Sequence, residues 1–165
     1  MTEENFNKES FSHGILLKAS PEKVYEYIST GSGLSKWFIG SADYFYNDKS
    51  IRLGDEPAQK GNSFLWKWLK KDLELKGIIT ESDGKNEFGF TFGSSFFVNI
   101  KLSESGDRTK LVLTQCYQDS ATENEFGFIN CCVCWVFFLT NLKSVLEHGI
   151  DLRETEADIE MLVNR

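Results

Sequence analysis

Three of the four cysteines, Cys131, Cys132 and Cys134, fall within four residues of one another. Their type and spacing admit metal ligation or dithiol redox work. A structural zinc site needs four ligands. Cys131 and Cys134 have CxxC spacing, but a second pair is missing: Cys116 stands alone, and His13 and His148 form no ligand pair in sequence. A redox CxxC belongs beside a βαβ pattern, and none is found. The cysteines therefore read as reduced thiols acting as small apolar residues of a buried helix, with no metal and no cofactor.

The other chemistry-bearing types give no catalytic pattern. Ser, His and Asp occur in no GxSxG nucleophile context. The "GSG" at 31–33 lacks the Lys-Ser/Thr that a phosphate-cradling loop requires. Asp43, Asp48, Asp55 and Glu56 sit among turn residues and read as solvated charges; acid–base work would need a burial that raises a carboxylate pKa. His13, in phase with Ile15 and Leu17 on a first strand, reads as a satisfied or exposed side chain. What remains is aromatic, with fourteen Phe and four Trp. Trp37 and Phe38 are adjacent, Phe64, Trp66 and Trp68 share one face of an alternating run, and so do Phe88, Phe90 and Phe92. Such sets build either a plain core or an apolar pocket with a few placed polar groups, and both readings stand at this point.

The net charge of −7 argues against nucleic acid, which needs a basic face. The opening "MTEENFNKES" is acidic and polar where a secretory signal needs a basic start and an apolar core, so a reducing cytoplasm is the expectation. No charge occurs from Phe126 to Leu142. That run is at the lower edge of a bilayer span, but it contains Gly127, Asn130, Thr140 and Asn141, and no membrane span is expected.

These residues must be positioned by mostly β elements. "FSHGILLKAS" reads as a first strand. Ser20 caps a short helix with Pro21 at its first position, presenting Val24, Tyr27 and Ile28, and "GSGLSKWF" gives a second helical turn. "SADYFY" is a short strand, and the following charged loop holds a brief strand at Ser50 to Leu53. A meander of long strands runs from Phe64 to Tyr117, with a hairpin at Asp83-Gly84. One long helix closes the order, from near Glu123 to a Gly149 cap. At about 100° per residue, Phe128, Cys131, Trp135, Phe138, Leu139, Leu142 and Leu146 share its inner face. Val133, Phe137, Thr140, Ser144 and Glu147 take the outer one. The fold expected is α+β: a curved antiparallel sheet of about six to seven strands wrapped on the long C-terminal helix, with two short helices after the first strand. Residues 11–150 form this domain, 1–10 an extension and 151–165 a tail.

"SPEKVYEYISTGSGLSKWF" and "CWVFFLTNLKSVLEHGIDLRE" resemble the two ends of START-like domains of the activator-of-heat-shock-protein-90-ATPase homologue group. These have the birch-pollen-allergen, helix-grip fold. The first stretch has the Ser-Pro helix start and the Leu-x-x-Trp-Phe turn. The second has the Trp followed by Leu-Lys-x-x-Leu-Glu-x-Gly. The resemblance covers roughly residues 12–153, with Tyr25 where the group has Trp. Eukaryotic chaperone activators of this group carry a further N-terminal chaperone-binding domain, for which these residues leave no room.

Taken together, the reading favours a module that binds an apolar small molecule or lipid between sheet and helix. Its lining is Trp37, Phe38, Phe64, Trp66, Trp68, Phe88, Phe90, Phe92, Trp135, Phe138 and Leu142. The alternative is a co-chaperone-like interaction module with a filled core, and the third reading is an enzyme of the cyclase or hydrolase type. A homodimer through Val133 and Phe137, with the tail's Ile159, Leu162 and Val163 as a rival cover, and a chaperone are the partners considered.

Overall fold

Alternation along the chain converts directly into sheet. In the computed structural model, which describes Asn7 and residues 9–118 and 124–155, the order is β1 (Ser10–Leu17), α1 (Pro21–Ser29), α2 (Gly31–Leu34), β2 (Ser41–Phe45), β3 (Ser63–Lys67), β4 (Glu74–Ser82), β5 (Glu87–Phe92), β6 (Phe96–Ser105), β7 (Arg108–Tyr117) and α3 (Glu125–His148). The seven strands form one antiparallel sheet in the order β1-β7-β6-β5-β4-β3-β2. Its apolar face curves around α3, giving the helix-grip layout. Period-2 side chains deliver Phe64 and Trp66 from β3, Phe88 and Phe90 from β5, Val98 and Ile100 from β6, and Leu111 and Leu113 from β7 to the interior, all buried.

The Phe64 and Trp66 rings stack with centroids 4.1 Å apart. Gly77, opposite Phe64 across β3 and β4, makes room for them, because a Cβ there would run into the Phe64 ring and the Thr91 hydroxyl. α1 begins as its sequence dictates, with Ser20 accepting from the Lys23 amide and Pro21 at the first position. Its buried aromatic is Tyr25 rather than Tyr27: the Tyr25 hydroxyl meets Ser82 at 2.9 Å and accepts from the Gly84 amide at 3.0 Å.

Two boundaries differ from the sequence reading, and a third expectation falls at the edge of the described residues. The strand expected at Ser50 to Leu53 reduces to a single bridge between Phe45 and Ile51. The β4–β5 connection runs from Asp83 to Asn86 rather than turning on two residues, because the Asp83 carboxylate accepts the amides of Lys85, Asn86 and Glu87 and holds a wider loop. α3 starts at Glu125 behind an Asn124 cap that accepts from the Gly127 amide; Glu123, the expected start, lies outside the described residues. At its other end Gly149 adopts φ 70°, the left-handed cap that glycine favours.

α3 is held to the sheet at three levels. Near its start, the His13 ring Nε2 donates to the Cys132 carbonyl at 2.9 Å, so His13 ties β1 to the helix. In the middle, Trp135, Phe138, Leu139 and Leu142 are buried in the sheet. At its end, Glu147 accepts from the Lys18 amide and from Lys143 Nζ, which also donates to the Leu16 carbonyl; the Lys143 ammonium holds the Glu147 carboxyl below its ordinary range. α3 has the length and composition of a membrane crossing, and its inner face is sewn to the sheet at these three levels. Its outer face departs from expectation. Val133 is exposed, but Phe137 is half-buried and packs on the Phe138 ring at 5.3 Å. The exposed stripe is instead Phe126, Ile129, Val133 and Val136.

Candidate functional site

Phe38 is the hub of the aromatic interior. It follows α2 in a turn whose amides bond back to Leu34, which points its ring between the sheet and α3. There it stacks on Trp135 at 4.8 Å and meets Phe138 and Trp68 edge-on at 4.9 and 5.3 Å. Beside this cluster a groove of about 200 Å³ opens to solvent. Phe38 and Phe92 form its floor with Trp135. The β3–β4 connection supplies Trp68, Lys71 and Leu73, and α3 supplies Asn130, Cys131, Cys134 and Phe138. A smaller lobe of about 20 Å³ shares Phe38, Trp68, Lys71 and Phe138 and is bounded on its far side by Leu69, Arg153 and Glu154.

The electrostatics are sparse. Lys71 is the one basic side chain on the larger lobe, and among the described residues no carboxylate or imidazole lines it. Burial pushes the Cys131 thiol up, against the pull of the neighbouring Gln115 side chain, and pushes the Cys134 thiol up against the pull of Lys71. Raised thiols stay protonated and apolar at neutral pH. Behind Cys131 and Trp135 lies Gln115, fully buried on β7. Its Oε1 accepts from Trp135 Nε1 at 2.9 Å, while its Nε2 has no hydrogen-bond partner. Among the described residues no group of three metal-ligating side chains occurs, and Cys131, Cys132 and Cys134 are free thiols.

Five of the residues singled out from sequence, Phe38, Trp68, Phe92, Trp135 and Phe138, converge on the groove. The other six, Trp37, Phe64, Trp66, Phe88, Phe90 and Leu142, lie packed in the core. Trp37 is fixed there by its Nε1 donating to the Tyr27 carbonyl at 3.0 Å. Sequence reasoning missed Lys71, Leu73 and Asn130, and treated Cys131 and Cys134 as core. The signal for Asn130, Cys131 and Cys134 was available. They occupy i, i+1 and i+4 with Phe138 at i+8, one flank of the helix beside Trp135. Nothing in the turn "LKKDL" distinguishes Lys71 from Lys70.

The family model described as "Activator of Hsp90 ATPase homolog 1-like protein" matches residues 18–147. The chain belongs to this family. Members of the same fold among solved structures include a Staphylococcus saprophyticus protein, 21% identical, with TM-score 0.69 over 87% of this chain and 96% of that one. The Aha1 dimer of Colwellia psychrerythraea is 20% identical, with TM-score 0.65 over 85% and 97%. A Bacillus halodurans protein is 18% identical, with TM-score 0.63 over 84% and 96%. At these identities the likeness is one of fold. No curated protein matches the chain.

Proposed function

We propose that this protein binds a small apolar molecule, the size of one aromatic ring or a short hydrocarbon chain, in the groove between the β3–β4 connection and α3. The observation that carries this reading is the convergence of five aromatic rings, from separate parts of the chain, on about 200 Å³ of accessible space. Well-packed interiors leave few voids larger than a water molecule. Size sets the class: an apolar cavity of about 150 Å³ takes benzene, whereas drug-sized ligands occupy about 300–1,000 Å³. A whole lipid is therefore too large. Lys71 and the Asn130 amide at the rim would orient a polar end. With no carboxylate or imidazole in the lining and the thiols protonated, the site suits binding better than acid–base chemistry. Ligand-observed NMR with indole, benzoate and hexanoate tests it. Saturable binding to the wild type, lost in Cys134→Phe, which puts a ring into the space, is expected. No binding by any of the three, or equal binding to Cys134→Phe, overturns it.

A second reading, an interaction module, has its own observation. Phe126, Ile129, Val133 and Val136 are 82%, 63%, 67% and 53% exposed, and their spacing of three, four and three residues is that of a helix-pairing seam. A solved relative is a dimer by its own description. Self-association through this stripe, centred on Val133 without Phe137, is the partner reading we favour. Contact with a chaperone rests on kinship alone.

A further inference from the structure

The groove is bounded by the chain's own exit. Arg153 and Glu154 wall its smaller lobe, and the strap leading to them is pinned. Arg153 donates to the Ile39 carbonyl at 2.8 Å and to the Ser35 carbonyl at 2.9 Å, and pairs with Asp151 at 2.7 Å. Asn141, buried in α3, donates to Asp151 and accepts the Leu152 amide. The pinned strap therefore ends beside the groove, where Glu154 walls its smaller lobe.

Residues 156–165, which lie outside the described residues, read "EADIEMLVNR". They offer Ile159, Met161, Leu162 and Val163 to aromatic walls, and Glu156, Asp158 and Glu160 to Lys71, which lines both lobes. An extended chain covers up to about 3.3–3.6 Å per residue, so ten residues are long enough to span a groove of about 200 Å³. Tethering makes the encounter intramolecular, with an effective concentration of about millimolar for a short linker. We infer that residues 156–165 dock in the aromatic groove and compete with its small ligand. The inference rests on the groove being the binding site, and it makes the tail the regulator of that site.

The test compares the full chain with one truncated after Thr155, and adds a synthetic peptide of residues 156–165. If the tail covers the groove nine-tenths of the time, its removal tightens indole binding about tenfold. The side-chain N–H resonances of Trp68 and Trp135 should shift on truncation and return when the peptide is added. Salt should weaken the peptide, since its acidic residues face Lys71. Unchanged Trp68 and Trp135 resonances on truncation overturn the inference. So does a peptide that binds without moving those two resonances. Tryptophan shifts that the peptide restores uphold it even where indole binds neither form; that combination removes the small-ligand reading alone.

Discussion

Trp135 joins the core to the groove, and two substitutions there separate its roles. It is 2% exposed, so Trp135→Ala should cost about 3–5 kcal/mol, as large-to-small changes in tight cores do. Trp135→Phe keeps a ring but removes the hydrogen bond that the buried Gln115 Oε1 accepts. An orphaned buried amide costs about 1–3 kcal/mol. Urea denaturation of both variants checks this, and an alanine variant no worse than the phenylalanine one would show that the site does not pack tightly on Trp135. The thiols give a second residue-scale prediction. Burial raises Cys131, Cys132 and Cys134, so native protein should react slowly with a thiol reagent at neutral pH and speed up only above the ordinary cysteine range of about 8.5. Denatured, non-reduced protein should yield four thiols at once. That Cys131, Cys132 and Cys134 pack against the core could be read from their place in the apolar helix run. That Cys131 and Cys134 line a groove was signalled only by Asn130 on the same flank, because no charge in the stretch marks where the helix turns towards solvent.

At the scale of elements, the same lack of contrast explains what the pattern hid in α3. Alternation in β3, β5, β6 and β7 is sharp, and each strand faces as its sequence predicts. From Phe126 to Leu142 the helix is apolar nearly all round. Periodicity therefore gave its inner face, which Trp135, Leu139 and Leu142 confirm by burial, but misassigned Phe137 and passed over Phe126, Ile129 and Val136. The strap from Gly149 to Thr155 was invisible for another reason: its order comes from Arg153 reaching the Ser35–Ile39 turn, contacts far apart in sequence, and from Asp151 bonding Asn141. It yields a pH prediction. Partial burial raises the Asp151 carboxyl, but its bonds from Arg153 and Asn141 outweigh this and hold it below its ordinary range. A depressed carboxyl stabilises the fold above its unfolded pKa of about 3.9, and that contribution is lost as pH falls through the folded value. Melting temperature should therefore fall on acidification in the wild type, and the part due to the strap should vanish in Arg153→Ala. That variant should also lose about 1.5–3 kcal/mol at neutral pH, the range for a hydrogen bond to a charged group. Equal acid sensitivity in both proteins would remove Asp151 from the account.

For the whole molecule, the proposed self-association would be governed by charge and the exposed stripe together. Each copy carries −7, so copies repel except where a neutral surface is presented. The outer face of α3 from Phe126 to Val136 is such a surface, four exposed apolar side chains in one line. Full burial of a side chain of this kind is worth about 1.5–3 kcal/mol, so an acidic residue in mid-stripe both forfeits that gain and restores the repulsion. Association that couples to folding raises the melting temperature with protein concentration. The wild type should therefore melt higher and sediment faster as it is concentrated. Added salt should strengthen the effect by screening the like charges, the opposite sign to its expected effect on binding of the tail peptide. Val133→Glu should stay monomeric with a concentration-independent melting temperature, because Val133 is exposed and its replacement leaves the core intact. Phe137→Glu would not serve, since that ring packs on Phe138 and its loss would be read as unfolding. Sedimentation of the wild type as a monomer across the range, with a melting temperature that does not move, would exclude self-pairing through α3 and leave the stripe to a different protein.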